Sequence, residues 1–269
     1  MNKAELLQFL HGIGANPKKW LSQHFLIDHN VIAKCIELAD IQAGDQVLEI
    51  GPGPGAITKH LLAAGANVVA IEKDPLFAIH LQRLQTSDGR LQVHTADFLT
   101  FPLKTFGSAW KVVSNIPFKI TAPILEMLCN HSDQFTSFTL IVQKEVANRI
   151  KAQPKTKEFG SLTVFLQFYT TCNSTFPISP TSFYPRPAVG ATITHLTCHD
   201  PPPGIDPERF FSFVKKAFQQ RRKMLTSSLR DLHLKNHLEE LGISLKARPE
   251  ELNFGEWLEL FKKCFSTSS

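Results

Sequence analysis

The chain has 269 residues, 43% of them apolar, which is enough for a substantial core in one large domain or two. Its five cysteines (35, 129, 172, 198 and 264) are odd in number with no C-x-x-C pair, which argues against a disulfide framework or a zinc site and for a reducing, cytoplasmic setting. The net charge of +5 is modest, no apolar run reaches bilayer length, and Leu6-Leu7-Gln8-Phe9-Leu10 is too short for a signal peptide, so neither a membrane nor a metal is expected.

Apolar residues at helical spacing over 3–11, ended by Gly12 and Gly14, predict a short amphipathic helix. The next stretch, Asn16 to Asp28, mixes Lys18, Lys19, Trp20, Gln23, His24 and Phe25 without a clean period and reads as an ordered loop. Asp28 then caps a helix through about Ala39. From Gln46 strands and helices alternate: strands at Val47–Ile50, Val68–Glu72, Leu91–His94, Lys111–Asn115 and Phe138–Gln143, helices at 56–64, 75–85, 120–130 and 144–151. Ser161–Thr170 and Ala188–Thr197 read as two further β-rich runs, completing seven strands. This alternation implies right-handed crossovers and a mostly parallel, doubly wound α/β sheet, whose ligands bind beyond the carboxyl ends of the strands.

Polar residues do stand at those ends. Gly51-Pro52-Gly53-Pro54-Gly55 follows the first strand, a glycine turn that lets a ligand approach the backbone. The dinucleotide fingerprint fits poorly because position 56 is Ala, and no Lys-Ser/Thr pair follows to bind phosphates as a Walker loop would. Instead the pattern is similar to the cofactor loop of S-adenosylmethionine-dependent methyltransferases, with Glu49 before the turn able to hydrogen-bond backbone or a cationic ligand group. Glu72 ends the second strand, where a carboxylate can accept from both ribose hydroxyls of an adenosine-containing cofactor. Asp97 follows the third and can accept from an adenine amino group. The fourth strand ends in Asn115-Ile116-Pro117-Phe118: an amide oxygen, a main-chain carbonyl held by proline, and an aromatic face. Accepting both hydrogens of an adenine's exocyclic amine at the Asn115 side chain and the Ile116 carbonyl favours pyramidal nitrogen and aims its lone pair at a methyl donor, by orientation rather than by a general base. Phe118 would stack on the base, worth roughly 1–3 kcal/mol.

Pro201-Pro202-Pro203-Gly204 marks a composition break, which divides the chain into a domain of residues 1–200 and a small, all-α, basic domain of residues 201–269. Between 205 and 235 eight basic residues, among them Arg221, Arg222 and Lys223, stand against three acids. That local excess equals the charge of the whole chain and points to RNA phosphates. Lys18, Lys19 and the segment 151–157 extend this basic set.

Gln23-His24-Phe25-Leu26, Glu49-Ile50-Gly51-Pro52-Gly53, Asn115-Ile116-Pro117-Phe118, Phe183-Tyr184-Pro185-Arg186-Pro187 and Ala217 to Leu225 occur in the order of the ribosomal RNA adenine dimethyltransferases, and the chain resembles that family from about residue 17 to beyond 260. The last stretch resembles the bacterial small-subunit members, which modify two adjacent adenines in a terminal hairpin of small-subunit (16S) rRNA. The resemblance implies a Rossmann-like class I methyltransferase fold and S-adenosylmethionine as cofactor, converted to S-adenosylhomocysteine. It implies His24 and Leu26 lining the cofactor pocket, Gly51 against the methionine part, Glu72 on the ribose, Asp97 on the adenine, and Asn115 serving both sites. Phe118 and Phe183 would sandwich the target adenine, drawn out of its stack. The implied partner is small-subunit rRNA within a partly assembled subunit, met by a monomer. Departures from the usual pattern are Ser22 for glycine, Phe118 for tyrosine, and Ala188-Val189-Gly190-Ala191 for Lys-Val-Asp-Ser. The competing readings are a nicotinamide-dependent oxidoreductase, for which no hydride-site arrangement is found, a non-catalytic RNA-binding assembly factor, and a large-subunit methyltransferase of the antibiotic-resistance type.

Overall fold

A computed structural model describes residues 1–18, 23–84 and 89–265. They form two compact units: Met1–Ala147 with Thr171–His199, and Asn148–Thr170 with the chain from Asp200 onward. The second unit therefore takes in a stretch well before the proline break at 201.

The first unit is built on strands β1 (Phe25–Leu26), β2 (Gln46–Ile50), β3 (Asn67–Glu72), β4 (Leu91–Thr95), β5 (Trp110–Asn115), β6 (Phe135–Gln143), β7 (Thr170–Ile178), β8 (Phe183–Tyr184) and β9 (Ala191–Cys198). Seven of these form one sheet in the order β4-β3-β2-β5-β6-β9-β7. Pairing is parallel from β4 through β6 and antiparallel between β6 and β9. Helices α1 (Lys3–Gly12), α2 (His29–Leu38), α3 (Ala56–Ala63), α4 (Pro75–Gln82) and α5 (Thr121–Cys129) complete the elements that flank the site. Val47, Leu48 and Ile50 are all buried, as central parallel strands covered on both faces require. Helix starts follow their capping residues: the Asp28 carboxylate accepts from the Asn30 and Val31 amides, and Asp74 accepts from Leu76 N–H with Pro75 at the first helical position. Because β2 has β3 on one side and β5 on the other, the strand order reverses there and opens a crevice at the carboxyl ends.

One expected strand is a helix. Ser161–Tyr169 forms α7, after α6 (Lys144–Ile150), and the seventh strand of the sheet is Thr170–Ile178 instead. Its β-branched and aromatic content suggests a strand, but short apolar runs carry no unambiguous period. Thr163 Oγ1 accepts from Gly160 N–H and donates to the Arg149 carbonyl, closing the first turn. Phe165, Phe168 and Tyr169, at helical spacing, then meet the rings of the second unit: Phe165 to Phe211 at 4.7 Å and Phe168 to Phe210 at 5.3 Å. Such a run, apolar nearly all round, is a buried helix. The same misreading hides the membership of Asn148–Thr170 in the second unit.

That unit is helical, with α8 (Pro207–Gln219), α9 (Leu225–Ser228), α10 (Lys235–Glu240) and α11 (Phe254–Phe265). Phe213 packs edge-on to Trp257 at 5.7 Å and Phe210 edge-on to Phe261 at 5.4 Å. The phenylalanine-rich face of α8 is core. Among the described residues no helix is long and apolar enough to cross a membrane.

Candidate active site

The crevice at the strand-order reversal is a cavity bounded by the turn after β2, the ends of β3, β4 and β5, and the arm before β1. Its floor is backbone. Gly51 and Gly53 have φ of +65° and +55°, the left-handed region that side chains disfavour. A Cβ on Gly53 would lie 3.1 Å from the Phe25 ring, so glycine is needed for space as well as conformation.

Glu72 is organised by that floor. One carboxylate oxygen accepts from Gly53 N–H at 2.9 Å and the other from Asp74 N–H at 2.7 Å. The side chain is thus fixed at the cavity wall with a further lone pair on each oxygen. Burial raises its pKa, opposed by these backbone donors and reinforced by the neighbouring Asp74. Asp97 accepts from Leu99 N–H at 3.0 Å and pairs with Lys73 at 2.7 Å across the cavity wall. The Lys73 ammonium holds the Asp97 carboxyl below the usual carboxylate range.

The opposite wall is the turn Asn115-Ile116-Pro117-Phe118. The Asn115 amide nitrogen donates to the His24 carbonyl at 2.9 Å. That contact demands a donor, so it fixes the amide orientation and turns Oδ1 away as the acceptor. The His24 ring donates from Nδ1 to the Pro185 carbonyl at 2.7 Å and stacks over Phe118 with centroids 5.7 Å apart. Ser114 donates to the Ile50 carbonyl, tying the ends of β2 and β5 together.

The structure thus brings Gly51, Gly53, Glu72 and Asp97 to one cavity with His24 and the Asn115–Phe118 turn. Other expected site residues lie elsewhere. Leu26 is buried in the apolar core, and its neighbour Phe25 faces the cavity instead. Glu49 is outside the lining: it is 1% exposed and accepts a 2.6 Å bond from Thr58 Oγ1. Burial pushes its pKa up to about 8, opposed by the Thr58 bond and aided by the charge of Glu72. Phe183 is buried against the core, and its ring meets Phe118 at 70° and 6.5 Å. The two rings are edge to face in this structure and do not present the parallel faces that a sandwich requires.

Of the basic residues, Lys18 pairs with the buried Asp74 at 2.8 Å and pins the arm rather than offering a free charge. Arg221 donates to the Thr156 carbonyl at 3.0 Å and lies 3.7 Å from Glu250. Arg222 and Lys223 are exposed. Lys19, and Ser22 among the departures, lie outside the described residues. Sequence reasoning missed Lys73 and Asp74, whose signal was adjacency to Glu72 at a strand end, and Gln23, whose side chain accepts from Lys18 N–H at 2.7 Å.

Residues 14–265 match the family model described as ribosomal RNA adenine dimethylase. The chain is 40% identical over 275 residues to the ribosomal RNA small subunit methyltransferase A of Protochlamydia amoebophila (strain UWE25), covering 98% of this chain and 97% of that one. Among solved structures it resembles the 23S rRNA methyltransferase ErmE, at 27% identity and a TM-score of 0.71, over 89% of this chain and 99% of that one. A dimethyladenosine transferase from Plasmodium falciparum shares the fold, with a TM-score of 0.79 at 24% identity, over 90% and 98% of the two chains.

Proposed function

The chain belongs to the ribosomal RNA adenine dimethylase family, and on that premise we propose that it dimethylates the exocyclic amines of two adjacent adenines in the 3′-terminal hairpin of small-subunit rRNA, with S-adenosylmethionine as methyl donor. The observation that carries this reading is the Asn115 amide, whose nitrogen is held by His24 so that its oxygen is the acceptor left for a ligand. Small-subunit rather than large-subunit RNA is favoured by the 40% identity to a small-subunit methyltransferase over almost the whole chain.

The cavity suits the cofactor. A left-handed glycine turn leaves main chain open beside a fixed carboxylate, Glu72, that retains lone pairs for a diol. Asp97, kept ionised by Lys73, is an acceptor for an adenine amino group. S-adenosylmethionine supplies, when bound, an electrophilic methyl group on a sulfonium centre. The protein's part is to orient the incoming amine. Asn115 Oδ1 and the Ile116 carbonyl accept its two hydrogens, which concentrates the lone pair on the nitrogen. After one methylation the amine keeps a single hydrogen, for which one of these acceptors suffices, so the same turn serves both transfers. Each transfer leaves the nitrogen one proton in excess, released to water. Phe118 offers its face to the base.

Arg222 and Lys223, in the helical unit, supply charge for RNA phosphates. The substrate is small-subunit rRNA in a partly assembled subunit, met by a monomer in the cytoplasm. The test is incubation with methyl-labelled S-adenosylmethionine and small subunits lacking the modification, followed by digestion to nucleosides. Dimethyladenosine confined to one small-subunit hairpin is expected. Label in large-subunit RNA would favour the resistance-type activity, and subunit binding without transfer would favour an assembly factor.

A further inference from the structure

Among the described residues, Lys73 and Lys119 line the cavity, while Lys18 and Arg186 adjoin it through Asp74 and through Pro185, and the four fall into two groups. Lys18 is committed to Asp74 and Lys73 to Asp97, at 2.8 and 2.7 Å. Lys119 and Arg186 are both exposed, and neither enters an ion pair or side-chain hydrogen bond among the described residues. They are far apart in sequence but joined through His24. Lys119 follows Phe118, whose ring stacks on His24. Arg186 follows Pro185, whose carbonyl accepts from the same imidazole.

Both cations rise from fixed backbone. The Phe118 turn is closed by Ile120 N–H on the Pro117 carbonyl at 3.1 Å and by Thr121 Oγ1 on the Phe118 carbonyl at 3.2 Å. Arg186 lies between Tyr184, paired with Phe25 across the β1–β8 ladder, and the buried Pro187. Two exposed cations thus follow directly the two residues that hold the His24 ring: Lys119 after Phe118, which stacks on it, and Arg186 after Pro185, which accepts its hydrogen bond. A nucleotide drawn into the cavity base first leaves its flanking phosphates at that rim, where they lose the counterions of the stacked strand.

We propose that Lys119 and Arg186 form a two-cation clamp on the phosphates flanking the extruded target adenosine, as positioning residues distinct from the basic helical unit. The inference rests on the methyl-transfer reading above. Exposed rim charges act on encounter and salt dependence rather than on the bond-making step. The clamp therefore governs the KM for RNA and leaves turnover at saturating substrate in place.

The experiment compares the wild-type protein, a Lys119→Ala/Arg186→Ala double variant and a Lys119→Arg/Arg186→Lys double variant. S-adenosylhomocysteine affinity is measured by calorimetry, and kcat and KM are measured on unmodified small subunits over a salt series. The alanine pair is expected to keep cofactor affinity and kcat, to raise KM at least tenfold, and to flatten the slope of log affinity against log salt by about 0.7 per cation removed. The charge-conserving pair is expected to restore slope and KM. An alanine pair with unchanged KM and slope in an active background overturns the clamp alone. Loss of cofactor affinity in that pair overturns it too, by placing the residues in the cofactor pocket. A wild-type protein that transfers no methyl group overturns the function and the clamp together.

Discussion

Replacing Glu49 by glutamine isolates a buried carboxyl that the structure holds neutral around neutral pH. Glu49 is 1% exposed, with its pKa pushed up from 4.5 to about 8, chiefly by burial. Between those two values the folded protein retains a proton that the unfolded chain has released. Stability from this group is therefore complete below the unfolded pKa and is lost as pH rises toward the folded one. The slope is about 1.4 kcal/mol per pH unit, so raising the pH from about 6 to about 7.5 removes about 2 kcal/mol. Glutamine keeps the shape and the acceptor for Thr58 Oγ1 but cannot ionise. Urea denaturation of both proteins at the two pH values measures the difference: the wild type should lose the larger increment and the Glu49→Gln variant should lack it. Glu72, whose pKa burial also raises, is unaltered in both proteins, so the comparison reads Glu49 together with its coupling to Glu72. Equal pH dependence in the two proteins would refute the neutral Glu49.

Gly53→Ala places a Cβ in left-handed backbone, costing about 1–2 kcal/mol before the 3.1 Å contact with Phe25 is counted. Thermal unfolding should shift down by at least a few degrees, about 2–4 °C per kcal/mol for a protein of this size, and an unchanged midpoint would count against the strained turn. Asn115→Ala should lower kcat by about 10²–10³, as for loss of a placed transition-state partner, with RNA affinity and its salt slope intact; full turnover would contradict the proposed orientation of the amine. Arg221→Ala should reduce stability by no more than about 1 kcal/mol, because water can satisfy the exposed Thr156 carbonyl, with little change in RNA binding. An Arg222→Ala/Lys223→Ala variant should do the reverse, flattening the salt slope by roughly 0.7–0.9 per residue. Equal effects of the two variants on binding would refute that division.

The parallel sheet and its crevice follow from alternating strand and helix patterns, because each strand end carries a polar residue that the core cannot absorb. Glu72, Asp97 and Asn115 were identified from that rule, and all three line the cavity. Glu49 obeys the same local pattern, yet its side chain points into the sheet packing rather than the crevice, since alternate residues of a strand face opposite ways. The β1–β8 ladder is two residues long and leaves no period to read. The commitments of Lys18 to Asp74 and of Arg221 to Thr156 join positions 56 and 65 residues apart, and only the folded chain shows which charges are already neutralised. Ser161–Tyr169 failed for another reason: its propensity and its tertiary setting disagree, and burial decides.

The bonds through His24 also bear on when the site can exist. Asn115 and Pro185 lie 91 and 161 residues from His24, so the cavity wall is closed by contacts of very long sequence range. Closing such loops is entropically delayed relative to the local turns at Gly51 and Glu72. During synthesis the glycine turn and its carboxylate partner can form once β2 and β3 are out, whereas the aromatic wall waits for residue 185. A chain shortened to end before Phe183 would keep the strands from β1 to β7 in its sequence but lose the anchor of the His24 ring. Assembly order therefore runs from the cofactor end of the crevice to the substrate end.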